Sequence, residues 1–214
     1  KVVTRGAPMP RFDVQAPVLS LPRIFATTLE TVPDRVPYLA APELHNLGLP
    51  RPAGSKLCVG IVWAGSPTQA NDRRRSCPMD RFLALMGLPG VAFYSLQKGE
   101  AARQLHRSAP AALVTDLGGR LHDFADTAAV LDQLDLVIAV DTAVVHLAGA
   151  LARPVWTLLS YTGDWRCPAG REDSPWYPTM RLFQQDRPGD WEGVMDRVLA
   201  ALEKMVGEKP SGPP

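Results

Sequence analysis

From Lys56 onward the sequence alternates short, unbroken apolar runs with longer segments of helical periodicity. "DLVIAV" is the purest run. It has no polar residue at any second position, so the strand it predicts has no water-facing side and must be covered on both faces. The spacing predicts strands at "KLCVGIVWAG", "VAFYSLQ", "ALVTDLG", "DLVIAV", "PVWTLLS" and "MRLFQQ". Between them it predicts helices at "PMDRFLALMGL", "GEAARQLHRSA", "DFADTAAVLDQL" and "TAVVHLAGALA", with "DWEGVMDRVLAALEKMVG" closing the series. Pro78 falls in the first turn of its helix, and Asp123 is an N-cap candidate. Strands separated by helices at this spacing form βαβ units and a parallel sheet. The fold class expected is α/β, a Rossmann-like doubly wound parallel sheet over residues 55–208.

Residues 1–54 are different. "KVVTR" and "APVLSL" read as short strands and "IFATTLETV" as a short helix, but the prolines of "PDRVPYLAAPELHNLGLPRPAG" break both helix and central strand. The segment is too thin to bury a core, so 1–54 is expected to be the end of another domain plus a linker. The chain starts at Lys1, which reads as a piece of something longer, and 209–214 is expected to be a disordered tail.

The bulk numbers narrow the chemistry. A formal net charge of +1 provides no general field for nucleic acid or an anionic membrane. No apolar run reaches the roughly 18 residues of a membrane helix. Basic residues are 18 Arg against 5 Lys, and the three cysteines, Cys58, Cys77 and Cys167, follow no metal or disulfide spacing. That cysteine pattern is expected of a reducing compartment, the cytoplasm.

In a doubly wound sheet ligands sit beyond the carboxyl ends of the strands, so the loops leaving them are the places to read. The first carries Gly65 and Ser66, then Arg73, Arg74 and Arg75. Each arginine is either a solvated surface charge or a phosphate contact. No P-loop or G-x-G-x-x-G occurs there. The second loop carries Gln97 and Lys98, an exposed lysine or a cation over the sheet. In the third, Gly118 and Gly119 make a turn, and Asp123 and Thr127 are candidates to touch a hydroxyl or a base edge, although capping alone explains Asp123. The fourth, "VDTAVVHLAGAL", sets Asp141 at the helix N-cap with Thr142 and Ala143 in the first turn. Free N–H groups and the positive helix end then suit an anion. His146 follows Thr142 by one turn on the same face, either reaching a ligand or packing the fold.

These same stretches, "VGIVWAGSP", "NDRRRSCPMDRF", "FYSLQKG", "DFADTAAVLDQLDLVIAVDTAVVHLAGALARPVW" and "REDSPWYPTMRLFQQ", resemble the C-terminal domain of bacterial glycosyltransferases that often follow tetratricopeptide repeats. Those enzymes are relatives of the ADP-heptose heptosyltransferases and, more distantly, of the O-GlcNAc transferases. The resemblance extends to "FDVQAPVLSLPRIFATTLETVPDRVPYL", which looks like the end of the family's N-terminal domain, and so spans nearly the whole chain. It implies half of a GT-B architecture, two Rossmann-like domains facing a cleft, with a nucleotide diphosphate sugar as donor substrate and no cofactor or metal. "DTAVVHLA" lies on the heptosyltransferase D-S-G-P-M-H-L-A stretch, matching at Asp141 and His146. Thr142 stands for serine, Ala143 for glycine and Val144 for proline. "RSCP" lies on their K-R-W-P, which makes Arg75 the phosphate cation, and Lys98 is similar to the diphosphate lysine of O-GlcNAc transferases. "CPAG" departs from the bulkier residues of relatives. The general base is implied to belong to the N-terminal domain, so the segment alone is expected to be inactive. Donor contacts are therefore expected from Gly65, Ser66, Arg75, Gln97, Lys98, Asp141, Thr142, Ala143 and His146, with Arg75 and Lys98 stabilising the leaving group. The acceptor is a protein or a glycan. The competing readings are a nucleotide-sugar 2-epimerase and a non-catalytic binding or scaffolding module on the same fold.

Overall fold

The computed structural model describes residues 3–4, 6–43, 47–107, 112–167 and 170–209. It divides into two compact units, Lys1–Pro33 and Asp34–Pro214. In the first unit the only regular elements among the described residues are a 3-10 turn, Val18–Ser20, and a one-turn helix, α1 (Leu21–Ile24). The strand expected at "APVLSL" is thus helical, and the helix expected at "IFATTLETV" ends at its first residue. Pro22 sits in the first turn of α1, where its missing N–H costs nothing, and local turn formation wins without a neighbouring strand to pair with. Of the strand expected at "KVVTR", Lys1, Val2 and Arg5 lie outside the described residues, and Val3 and Thr4 have no regular structure.

The second unit is the expected sheet. Among the described residues, β1 (Leu57–Val62), β2 (Val91–Ser95), β3 (Val114–Asp116), β4 (Leu136–Val140), β5 (Val155–Leu159) and β6 (Met180–Gln184) lie side by side in the order β3-β2-β1-β4-β5-β6. Every neighbouring pair is parallel. The order reverses between β1 and β4, which opens a crevice at their carboxyl ends. Helices α3 (Met79–Met86) and α7 (Trp191–Glu208) pack on one face. On the other lie α5 (Phe124–Asp132) and α6 (Ala143–Ala150). Two short helices, α2 (Asp72–Arg75) and α4 (Arg103–Arg107), complete the set.

Side chains alternate between two cores. Leu57, Val59, Ile61, Leu136, Ile138 and Val140 enter the cluster under α3 and α7, whereas Cys58, Val62, Val137 and Ala139 enter the one under α5 and α6. All five residues of β4 are fully buried, the physical reason that "LVIAV", after the opening Asp135, carries no polar residue. On α7 the residues Val194, Val198 and Leu202 carry the contact, each worth about 1.5–3 kcal/mol if fully removed from water. Asp123 caps α5 by accepting the Asp126 N–H at 2.9 Å, and Asp190 caps α7 through the Gly193 N–H at 3.1 Å.

The connector from Asp34 is part of this unit. The Tyr38 N–H donates to the Ala150 carbonyl at 3.0 Å, and Leu47 is buried in the α5–α6 core. At the amino edge of the sheet Asp135 ties the connector to both ends of the fold. Its Oδ2 accepts the Cys58 N–H at 2.8 Å and pairs with Arg51, and its Oδ1 pairs with Lys209 at 2.6 Å. Lys209, the first residue of the expected tail, is thereby engaged; residues 210–214 lie outside the described set. Burial disfavours the charged form of Asp135, but Lys209, the Cys58 N–H and Arg51 outweigh it and hold the carboxyl below the usual range. All three cysteines are buried free thiols. Burial raises Cys77 to about 12 and Cys167 to about 11, so neither is nucleophilic at neutral pH.

Replacing Asp135 by Ala strands one N–H and two cations together, and is expected to cost about 1–3 kcal/mol in urea unfolding. Because the folded carboxyl titrates below the unfolded value near 4, its contribution is present above about pH 4 and drains as the pH falls through the lower folded value. The wild type should therefore lose more stability than Asp135→Asn on acidification through that window.

Candidate functional site

The crevice at the β1–β4 switch is a cleft of about 940 Å³. Gly65 and Ser66 line it from the loop after β1, Gln97 and Lys98 from the loop after β2, and Thr142 and Ala143 from the start of α6, with Arg75 between them. Seven of the nine residues expected to form the site thus converge on one cavity. The other two, Asp141 and His146, stand beside that wall and not on it.

Arg75 is the organiser. The three arginines lie in α2, a one-turn helix that the sequence reading left as loop, and the turn aims them differently. Arg73 and Arg74 are exposed, while Arg75 folds inward. Its Nε pairs with Asp72 Oδ1 at 3.3 Å, one turn earlier, and its Nη1 donates to the Asp141 carbonyl at 2.9 Å. One guanidinium therefore ties the loop that follows β1 to the end of β4. Asp72 also accepts the Ser76 hydroxyl at 3.1 Å, and Ser76 Oγ accepts the Gly65 N–H at 3.1 Å. Asp72 and Ser76 were missed by sequence reasoning, although the Asp72–Arg75 spacing of three is the signal of a helical ion pair. Gly65 is required by this packing: a Cβ there would lie 2.2 Å from Arg75 Nη2.

Gln97 lines the cleft but spends its amide on the scaffold. Its Oε1 accepts the N–H groups of Trp63 and Ala64 at 3.1 and 2.9 Å, and its Nε2 donates to the carbonyls of Ala64 and Lys98 at 3.1 and 3.0 Å. It is a buried clamp joining the ends of β1 and β2. The Lys98 ammonium donates to the Leu121 carbonyl beyond β3, which keeps a cation along the cleft wall. Gly118 serves backbone packing, since a Cβ would meet the Gln97 carbonyl at 2.3 Å, whereas Gly119 faces open space. Thr127, also on the cleft, donates its hydroxyl to the Asp123 carbonyl at 2.9 Å. The far end of the cleft is lined by Glu100, Arg103, Arg107 and the exposed ring of Phe124, residues the sequence reading did not single out.

The α6 terminus is shifted by one residue from expectation. Thr142 is the N-cap and Ala143 the first helical residue, leaving Asp141 just before the helix. A threonine at this position ordinarily caps a first-turn N–H, yet Thr142 makes no such bond and its Oγ1 is buried with no partner among the described residues. The start of α6, Thr142 to Val144, therefore lines the cleft with no side-chain acceptor from the cap, while the Val145 N–H is taken by the Thr142 carbonyl at 3.2 Å. Asp141 Oδ1 lies 3.6 Å from His146 Nε2. The nearness of His146, with help from Arg166 and Arg75, holds the Asp141 carboxyl below its usual range despite burial. On its other side His146 meets the Tyr177 ring, centroids 5.8 Å apart. Tyr177 in turn lies against Gly149, where a Cβ would come within 2.4 Å of its ring, and its hydroxyl is 3.4 Å from that of Tyr38 in the connector.

Residues 90–189 match the model described as glycosyltransferase family 9 (heptosyltransferase). The span takes in β2 to β6 and with them Lys98 and the Asp141–His146 stretch, while β1 and Arg75 precede it. The chain is also 32% identical over 183 residues to Protein FlbA of Caulobacter vibrioides, covering 81% of this chain and 28% of that protein. Two solved structures share the fold. One is a glycosyl transferase family 9 protein of Veillonella parvula (TM-score 0.52, 14% identity, 72% of this chain and 47% of that one). The other is the E. coli ADP-heptose lps heptosyltransferase II (TM-score 0.53, 16% identity, 73% and 48%). The chain thus spans about half the length of these two structures and little more than a quarter of FlbA. Among the described residues no helix is long and apolar enough to cross a membrane.

Gly65→Ala and Gly149→Ala should separate the site from the fold. The first pushes the Arg75 guanidinium and the Asp72 carboxylate, both side-chain ends, out of their held positions, and should change stability by under about 1 kcal/mol while weakening anion binding. The second confronts the base of a packed ring and should cost about 1–3 kcal/mol. Chemical denaturation of both variants checks the contrast.

Proposed function

We propose that this chain is the donor-binding half of a glycosyltransferase that holds a nucleotide diphosphate sugar in the β1–β4 cleft. The family 9 match supports sugar transfer as the chemistry. The observation that carries the donor assignment is the convergence of three electropositive groups from separate elements on one cavity: the Arg75 guanidinium, the Lys98 ammonium and the uncovered N-terminus of α6. No single one is diagnostic. Together they match two adjacent phosphates, and each is positioned by the backbone before any ligand arrives.

Such a cradle serves catalysis as well as binding. Cleavage of the donor places negative charge on the departing diphosphate, and cations and dipoles already in position stabilise that charge without reorganising. In this reading transfer is inverting and needs neither metal nor cofactor, because Arg75, Lys98 and α6 supply the electrophilic help. The base that activates the acceptor belongs to the other half of the whole protein, and the chain alone is inactive. The acceptor is a protein or glycan; upstream tetratricopeptide repeats and a cytoplasmic location belong to the same proposal, the latter consistent with the three free thiols.

A thermal-shift screen with ADP, UDP and GDP tests the donor site. A diphosphate present at a hundred times its Kd should stabilise the chain by about 2.7 kcal/mol, which is roughly 5–10 °C for a unit of this size. Arg75→Ala should reduce affinity at least tenfold, the cost of one charge-assisted hydrogen bond. Absence of any shift with all three diphosphates would remove the assignment.

A further inference from the structure

The loop leaving β5 carries a second constellation beside the cleft. Its first residues follow the carboxyl end of the strand next to β4, so they sit at the same edge of the sheet as Asp141, on the side opposite Lys98. Trp165 is 67% exposed, yet it is not loose. Trp176 meets it edge to face, centroids 5.6 Å apart at 85°, and the Arg166 guanidinium lies 5.1 Å from its ring centroid. The partners are themselves fixed. Arg166 pairs with Asp164 at 3.2 Å, the Trp176 indole N–H donates to the Arg166 carbonyl at 3.0 Å, and the Arg166 N–H donates to Asp164 Oδ1 at 3.0 Å. The neighbouring Cys167 is buried in the α5–α6 core and its N–H is bonded to the Asp164 carbonyl at 2.8 Å, so the loop is anchored immediately beside the exposed indole.

A solvent-facing indole held in one orientation, with a guanidinium and a carboxylate within the same turn, has a defined chemistry. The side of the flat ring turned away from Arg166 accepts the axial C–H face of a pyranose, and the neighbouring charged pair suits its equatorial hydroxyls. A nucleotide base would use the same ring face. The bare nucleoside diphosphate tells the two apart: a base stacked on the ring would cost Trp165→Ala its affinity for that ligand, and this result would overturn the pyranose assignment. Arg166 also helps to keep the Asp141 carboxyl ionised, which places its charge within electrostatic reach of that residue.

We propose that Trp165, with the Arg166 guanidinium over one side of its ring and Asp164 beside it, is a pyranose-binding platform in the loop that leaves β5. This rests on the donor-site reading for its orientation, but it concerns residues outside the phosphate cradle. The pyranose is either the sugar of the donor or a ring of the acceptor, and the two sources share this chemistry.

The test compares wild type, Trp165→Ala and Trp165→Phe by calorimetry against ADP, UDP and GDP and against ADP-glucose, UDP-glucose, UDP-N-acetylglucosamine and GDP-mannose. Saturation-transfer NMR with the methyl glycosides of glucose, mannose and N-acetylglucosamine forms a second arm. If the donor sugar uses the platform, Trp165→Ala loses roughly five- to tenfold affinity for a nucleotide sugar, keeps its affinity for the bare diphosphate, and Trp165→Phe recovers most of the loss. If the ring belongs to the acceptor, nucleotide-sugar affinity is unchanged, and saturation transfer to a methyl glycoside disappears in Trp165→Ala and returns in Trp165→Phe. Either pattern supports the platform. Unchanged behaviour in both arms overturns it. Failure of every diphosphate to bind wild type instead sinks the donor-site reading, and the methyl-glycoside arm then decides the platform by itself.

Discussion

The burial of β1 and β4 on both faces is the constraint from which the rest follows. Neither strand has a side facing water, so neither can present a polar side chain along its length. Chemistry is therefore displaced to the strand ends, and the reversal of strand order between these two leaves the one place where their loops diverge. Asp141 follows the buried run of β4 directly, and Gly65 follows that of β1 after Trp63 and Ala64. The cleft is a consequence of the way the sheet is covered, and its lining comes from residues that could not have been accommodated one turn earlier.

Within that cleft the polar groups are held by one another more than by the apolar core. Arg75 reaches from α2 to the Asp141 carbonyl, Asp72 aims it, Ser76 connects Asp72 to Gly65, and Gln97 locks the ends of β1 and β2 together. Each contact is modest. Their value lies in fixing a cation, a lysine and a helix terminus before any ligand binds, so that little side-chain freedom is left to lose on binding. The same arrangement explains why Gly65 has no side chain: the guanidinium occupies that volume.

The sequence was legible where periodicity and burial coincide. All six described strands and all of the longer helices fall where alternating apolar runs place them, with ends displaced by up to three residues, as at β1, which stops at Val62, and at α6, where Thr142 and not Asp141 takes the cap. It was least legible before Asp34. There "APVLSL" carries strand-like residues, but a strand needs a neighbour, and the segment becomes a 3-10 turn and one turn of helix instead. The linker was legible only in part. Its prolines announced an irregular path, but not that Leu47 would enter the core or that Arg51 would join Asp135.

What the chain determines by itself is the parallel α/β sheet and the identity of the loops that carry its chemistry, because hydrophobic period and turn residues are local properties. Only the tertiary structure decides which of the three arginines turns inward, that Gln97 serves the scaffold, and that Asp141 stands beside the cavity near His146, which in turn meets the Tyr177 ring. It also brings Trp165, Arg166 and Trp176 together at the end of β5. Those outcomes depend on distances between segments far apart in sequence. A residue's partner is set by which strands become neighbours, and that information lies in the packing of the whole sheet.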